Sequence, residues 1–350
     1  MVKKYNDRFL KACRREPVDC TPVWFMRQAG RYMQEYRKIR EKHDILTVCK
    51  TPELAAQVTL QPIERFDIDA GIIFADILLP LEPMGLDLEF SAGEGPVIHN
   101  PVLDKSGVSA LKEVDADSLR YVGDAIRLAR QAIESQPSPI PLIGFAGAPF
   151  TLASYMIEGG SSRNYIRTKG MMYGDPAAWH ALMKKLSNVI SGYLWSQIHA
   201  GAQVVQLFDS WVGCLNPDDY REYVLPHVQH IISSLQNETV PIVHFGTGTT
   251  ALLELMKEAG GDVIGVDWRV HIDDAWERLG VNVAVQGNLD PVTLFSPLPE
   301  IHRRVADILR RVQNRPGHIF NLGHGILPQT PVEHVDAVVS MVHELSARSS

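Results

Sequence analysis

Short runs rich in β-branched and aromatic residues recur along the chain, at 21–26, 69–76, 140–148, 202–210, 240–246, 262–268, 282–290 and 318–326. Most are near-continuous apolar stretches, such as IPLIGFAGA and VPIVHFG, rather than strict alternations. Strands buried on both faces read this way. Between them the apolar period lengthens. From 176 to 200, Trp179, Leu182, Met183, Leu186, Ile190, Tyr193, Leu194 and Ile198 make one helical stripe. Thr51-Pro52, Asp175-Pro176, Asn216-Pro217, Asp290-Pro291 and Thr330-Pro331 each put a capping side chain before a proline at the first helical position. Thr330 and Glu333 also have the spacing of a capping box.

Eight strand-then-helix units of this character predict an α/β chain folded as a (β/α)8 barrel, one domain over 1–350 with a helical arm at 1–17. A doubly wound open sheet is the structural alternative. The Gly- and Pro-rich segment 77–108 interrupts the pattern and reads as an inserted excursion with its own small hairpin. Such an insertion is either a lid over the barrel mouth or decoration of its rim.

The composition changes this picture little: 350 residues, 45% hydrophobic and 21% charged, suit a chain with a substantial core. The cysteines, Cys13, Cys20, Cys49 and Cys214, are scattered without a C-x-x-C pair. That pattern fits a reducing compartment and speaks against a cysteine-only metal site. The N-terminal segment is polar, so no export signal is expected. No run of about 18 apolar residues exists to span a membrane. A net charge of −7 argues against nucleic acid as the main partner. It leaves room for an anionic small molecule, because a local arginine cluster overrides the global sign.

In a barrel of this kind the chemistry sits at the C-terminal ends of the strands. Those ends read Arg27, Asp76, Ser210, His244, Asp267, Asn288 and His324. In MRQAGRY, Arg27 and Arg31 flank Ala29-Gly30, and Arg37 and Arg40 follow. The pattern is either an anion site, since guanidinium holds carboxylates bidentately, or a surface salt-bridge cluster. Asp76 closes an apolar run and is therefore either paired or catalytic. Tyr155 lies in a small-residue stretch, GFAGAPFTLASYMIEGG, that would let a ligand approach or simply pack the mouth. Ser210 lacks a Gly-x-Ser-x-Gly elbow and reads as a cap or loop hydroxyl rather than a nucleophile. His324, between two glycines, reads as functional. A dinucleotide fingerprint is also matched, by Gly246-Thr247-Gly248-Thr249-Thr250-Ala251 with Asp267 beyond it, but in the fifth unit rather than the first.

PVWFMRQAGRYMQEYR and GFAGAPFTLASYMIEGG resemble the two signature segments of the uroporphyrinogen decarboxylase family. The likeness continues through LTVCKTPELAAQVTLQPIERFDIDAGIIFADIL and VVQLFDSW into FNLGHGILPQTPVEHV, nearly the whole chain. It implies a barrel, a homodimer, a cytoplasmic location and decarboxylation of a tetrapyrrole in haem biosynthesis, with no cofactor and no metal. Carried over by position, Arg27, Gln28, Ala29, Gly30 and Arg31 would form a substrate-binding loop. Asp76 would be the central carboxylate, and Tyr155, Ser210 and His324 further substrate contacts. Arg40 and Ile45 match positions near the mouth. Ile45 departs from the phenylalanine expected there, and Asp209-Ser210-Trp211 departs from relatives with a glutamate and no tryptophan. On this reading Asp76, Arg27 and Arg31 are the catalytic candidates. Two rivals remain beside the dinucleotide one. A corrinoid-dependent methyltransferase would need a cysteine where His244-Phe245-Gly246 has glycine. A porphyrinogen carrier would need the arginines but not Asp76.

Overall fold

The computed structural model describes residues 5–91 and 95–348. Residues 1–4 of the expected arm and 92–94 of the expected excursion lie outside the described residues. Seven parallel strands run side by side in the order β1 (Gly71–Ile72), β4 (Leu142–Gly147), β5 (Val204–Asp209), β6 (Ile242–Gly246), β7 (Val263–Gly265), β8 (Ala284–Gln286) and β9 (His318–Ile319). A separate antiparallel pair, β2 (Leu88–Ser91) and β3 (Gly95–Ile98), is the hairpin of the 77–108 segment.

Both edges of the parallel sheet meet the segment around Val23. The Phe320 N–H donates to Pro22 O at 2.8 Å, and Val23 forms a parallel bridge with Phe320. On its other side the Asp69 N–H donates to Val23 O at 2.8 Å. The run 21–26 is thus the eighth stave and closes the barrel, which excludes the open-sheet alternative. It closes as a single bridge rather than as the regular strand expected for 21–26. The reason lies in its hydrogen bonds: the Val23, Phe25 and Met26 N–H groups are taken by side chains of Asp69, Gln28 and Asn321.

Every strand run sits where the apolar pattern puts it, and the strands are buried on both faces. Inside the barrel, Trp24 Nε1–H donates to Gln286 Oε1 at 3.0 Å, and Gln286 Nε2–H donates to Gln206 Oε1 at 3.2 Å. All three side chains are buried, so each bond spares a desolvated polar group. Outside, helix Pro176–Ala200 buries the predicted stripe, with Ile198 half-buried. Asp175 caps it by accepting from the Ala178 N–H, and Gly201 ends it at φ +116°, a conformation that favours glycine. The same helix sends Gln197 onto β4, where its amide both accepts from and donates to the backbone of Phe145 at 2.8 Å.

Asp175, Asn216 and Asp290 cap as expected. Thr51 precedes helix Pro52–Arg65 without a side-chain cap. The capping box expected at Thr330 and Glu333 does not form. The last helix, Val332–Ser346, starts one residue later with Pro331 as its cap residue, and the buried Thr330 hydroxyl has no hydrogen-bond partner among the described residues. The 77–108 segment docks on helix Pro149–Glu158, where the Ile98 N–H meets Gly159 O and the Val102 N–H meets Met156 O, both at 2.9 Å.

Candidate active site

A cleft opens at the C-terminal end of the barrel. Met26, Arg27, Ala29, Asp76, Ser210 and His324 line it together with apolar side chains from successive staves. Its floor includes Phe145, Phe208 and Phe245 of β4, β5 and β6, packed edge to face at 5.4 and 6.0 Å between ring centres. Gly265 on β7 makes room for this floor, since a Cβ there would sit 2.8 Å from the Phe245 ring.

Asp76 follows β1, at the end of an apolar wall from Ile72 to Ala75. One carboxylate oxygen accepts from the Leu78 N–H at 2.9 Å. Burial pushes the carboxyl above its ordinary value, although the Leu78 N–H and the Arg27 charge pull it down. An apolar-walled site with one anion in it favours a partner that brings several N–H donors.

Arg27 stands at φ +60°, unusual for a side chain of its size. No other described side chain or backbone group hydrogen-bonds its guanidinium. Its stem lies across Gly325, where a Cβ would come within 2.5 Å of Arg27 Cδ. Gly323 plays the matching part for the loop after β7, where a Cβ would meet the Trp268 N at 2.5 Å. The two glycines of NLGHG are therefore there for close packing. Between them, His324 Nδ1 accepts from the Gly325 N–H at 2.6 Å, which leaves the neutral ring its proton on Nε2. Burial and the charges of Arg27 and Arg269 bring the ring's pKa down to about 4, with Asp267 opposing them.

Tyr155, on helix Pro149–Glu158, stacks on Trp211 with ring centres 3.8 Å apart. Burial, reinforced by the charge of Asp76, pushes its phenol up to about 12. The Trp211 N–H donates to Thr151 Oγ1 at 3.3 Å, and that hydroxyl donates to the buried Asp209 at 2.8 Å. Burial pushes the Asp209 carboxyl up to about 7 against the Thr151 bond.

Tyr155 and the remaining expected residues stand outside the lining. Gln28 is fully buried, its amide accepting from the Phe25 N–H and donating to Ala70 O, both at 3.1 Å. Its side chain ties the first stave to the second and faces away from the cleft. Gly30 lies close under Arg27 O, which a Cβ would meet at 3.0 Å. Arg31 and Arg40 stand outside the lining. Arg31 is exposed, and Arg40 Nε donates to His43 O at 3.2 Å. Ile45 begins helix Ile45–Lys50 and is also outside the lining. His244 is a correction to the strand-end reading. It occupies the middle of β6, and because Phe245 points into the cleft, His244 points out toward the helices. Asp267 and Asn288 are structural at the rim. Asp267 accepts from the Gly248 N–H at 2.6 Å, and Asn288 donates to Asp267 O and Val270 O. The dinucleotide reading loses its basis there, since the acid expected to hold a ribose holds the glycine loop itself. The phenylalanine floor and Trp211 were not anticipated. The signal for the floor was the alternate inward positions of the strands, hidden because both faces are apolar.

The family model described as "Uroporphyrinogen decarboxylase (URO-D)" matches residues 4–345. A uroporphyrinogen decarboxylase of Sorangium cellulosum is 58% identical over 345 residues, covering 98% of each chain. Those of Solibacter usitatus and Roseiflexus sp. are 55% and 56% identical, each covering 98% of this chain and 99% of the relative. Among solved structures, a methyltransferase from Methanosarcina mazei superposes with a TM-score of 0.79 at 22% identity, covering 97% of this chain and 98% of that one. A B12-independent methionine synthase from Shewanella sp. reaches 0.51 at 12% identity, covering 85% of this chain and 86% of that one. At these identities the structural likeness concerns the barrel alone.

Proposed function

The chain belongs to the uroporphyrinogen decarboxylase family, and from that membership we propose that the cleft around Asp76 is where its reaction takes place. The reaction is that of a carboxy-lyase: the four acetate groups of uroporphyrinogen III become methyl groups, giving coproporphyrinogen III and four CO2. The observation that carries the placement is a carboxylate that stands alone, among the described residues, in an apolar-walled cleft beside an arginine whose guanidinium no described group hydrogen-bonds.

The substrate brings an anionic periphery and four pyrrole N–H groups. Asp76 accepts hydrogen bonds from converging N–H groups, while Arg27 binds a carboxylate at the edge. Arg31, on the same loop, and Arg40, at the end of helix Gln34–Arg40, lie outside the lining and meet carboxylates that extend past the mouth. The neutral His324 donates from Nε2, and Tyr155 and Ser210 complete the contacts. The apolar floor takes the faces of the pyrrole rings. Ala29, Gly30 and Ile45 shape the mouth by their size. Gln28 acts indirectly, by holding the loop that carries Arg27.

Loss of CO2 needs an electron sink. Protonation of a ring carbon turns the pyrrole into a cation. The electron pair of the breaking C–C bond then flows into that ring and leaves an exocyclic methylene. A second proton makes the methyl group, and the ring carbon gives up the first. The substrate is thus its own sink, and the reading calls for no cofactor and no metal. Asp76 stabilises the cation electrostatically. Arg27, or a water that it orients, delivers protons, since His324 is neutral near pH 7 and a guanidinium alone is a poor acid. A cytoplasmic location and a homodimer belong to the same reading, and sedimentation velocity on the purified chain tests the second.

The test of the site is single-turnover decarboxylation of uroporphyrinogen III by Asp76→Asn. The expected result is a fall of about 10²- to 10³-fold, the range for removing a preorganised electrostatic partner. Full turnover would refute the role.

A further inference from the structure

The candidate cations Arg27, Arg31 and Arg40 all come from the segment that follows one stave, yet the substrate's carboxylates surround its ring. Going round the barrel from Arg27 past β9 and β8 leads to β7 and the loop that follows it. There Arg269 stands half-exposed. Its guanidinium lies over the Trp268 ring, 4.1 Å from the centroid, and Nη1 pairs with Asp267. Asp267 also accepts from the backbone N–H groups of Gly248 and Arg269, so its charge is shared among three donors. Among the described residues, Nε and Nη2 of Arg269 have no hydrogen-bond partner. The aromatic platform and the carboxylate fix the guanidinium before any ligand arrives, which lowers the entropy lost on binding.

The position of this arginine relative to the cleft follows from the packing of its loop, and the electrostatics of His324 agree with it. The loop after β7 lies against the His324 segment, as the close approach of Trp268 to Gly323 shows. The charge of Arg269 acts on the His324 ring, as does that of Arg27. His324, which lines the cleft, therefore lies within the field of two arginines that reach the rim from different staves.

Resting on the reading of the cleft given above, we propose that Arg269 is a further substrate-binding residue, receiving a carboxylate of the tetrapyrrole on the β7 side of the mouth. The Arg27 loop and Arg269 would then hold carboxylates on different sides of one ring while its centre meets Asp76. Arginine suits the place because its planar fork pairs with carboxylate bidentately.

The test is steady-state kinetics of the full chain with uroporphyrinogen III, for wild type, Arg269→Ala and Arg269→Lys, at low and high salt. Arg269→Ala is expected to raise KM about ten-fold at low salt with kcat changed less than three-fold, the pattern of lost uniform binding. Arg269→Lys should recover part of the loss, and high salt should narrow the difference. An unchanged KM in Arg269→Ala would overturn the proposal. So would a fall in kcat that lysine does not mitigate, because that would mean Arg269 serves only to hold Asp267. Absence of turnover by the wild type would instead overturn the reading of the cleft on which the proposal rests.

Discussion

A carboxyl whose folded-state pKa is raised, as that of Asp76 is, costs stability as pH rises from its unfolded value through its folded one. Its burial makes the ionised form a cost to the folded state. Asp76→Asn is therefore expected to melt at the same temperature as wild type or higher, while decarboxylation collapses, and calorimetry beside the activity assay checks both. The acid limb of kcat/KM should accordingly lie above the ordinary carboxylate value of about 3.9. A second prediction concerns Gly325. Its backbone accepts alanine, but the new Cβ would sit 2.5 Å from Arg27 Cδ. Gly325→Ala should lower kcat/KM by about 10²-fold through displacement of Arg27, with little change in melting. Asp76, Arg27 and His324 were legible because polar residues ending apolar strands stand out, whereas Ser210, which also lines the cleft, read as a cap or loop hydroxyl. Arg31 and Arg40 were legible as a cluster but not as groups outside the lining, because a loop's residue spacing does not fix where its long side chains point.

At the scale of elements, strand positions were legible and strand faces were not. A strand apolar on both sides has no period-2 signal, so nothing distinguished the outward His244 from the inward Phe245. Proline marked four of the five expected helix starts, and it misled at Thr330 because the chain enters that helix one residue later. Gln28 shows how a residue in a signature loop can act on an element instead of a ligand. Gln28→Ala would leave the Phe25 N–H and Ala70 O without side-chain partners, at a cost of about 1–3 kcal/mol. Urea denaturation checks this, with activity falling as the Arg27 loop loosens.

At the scale of the whole molecule, the barrel's closure is anchored at the end opposite the cleft. Buried Asp69 accepts from Asn6, Arg8, His343 and the Val23 N–H, which joins the N-terminal segment, the first stave and the last helix. Burial raises its carboxyl, but the bond from His343 and the charges of His343 and Arg8 outweigh that and leave it below its ordinary value. Its contribution is thus present above the unfolded-state value and is lost as pH falls through the lower, folded one. Asp69→Ala should cost about 3–5 kcal/mol by leaving buried partners unpaired, yet keep kcat at temperatures where the chain stays folded. This anchor was not legible, because its members lie at both ends of the sequence. The central claim, one cleft that strips four acetates from a tetrapyrrole, is tested most directly by anaerobic incubation of the wild-type chain with uroporphyrinogen III and no additive. The oxidised products are then separated by chromatography. The account predicts hepta-, hexa- and pentacarboxylate species in turn, ending at the tetracarboxylate. Tight binding with the octacarboxylate unchanged would contradict it.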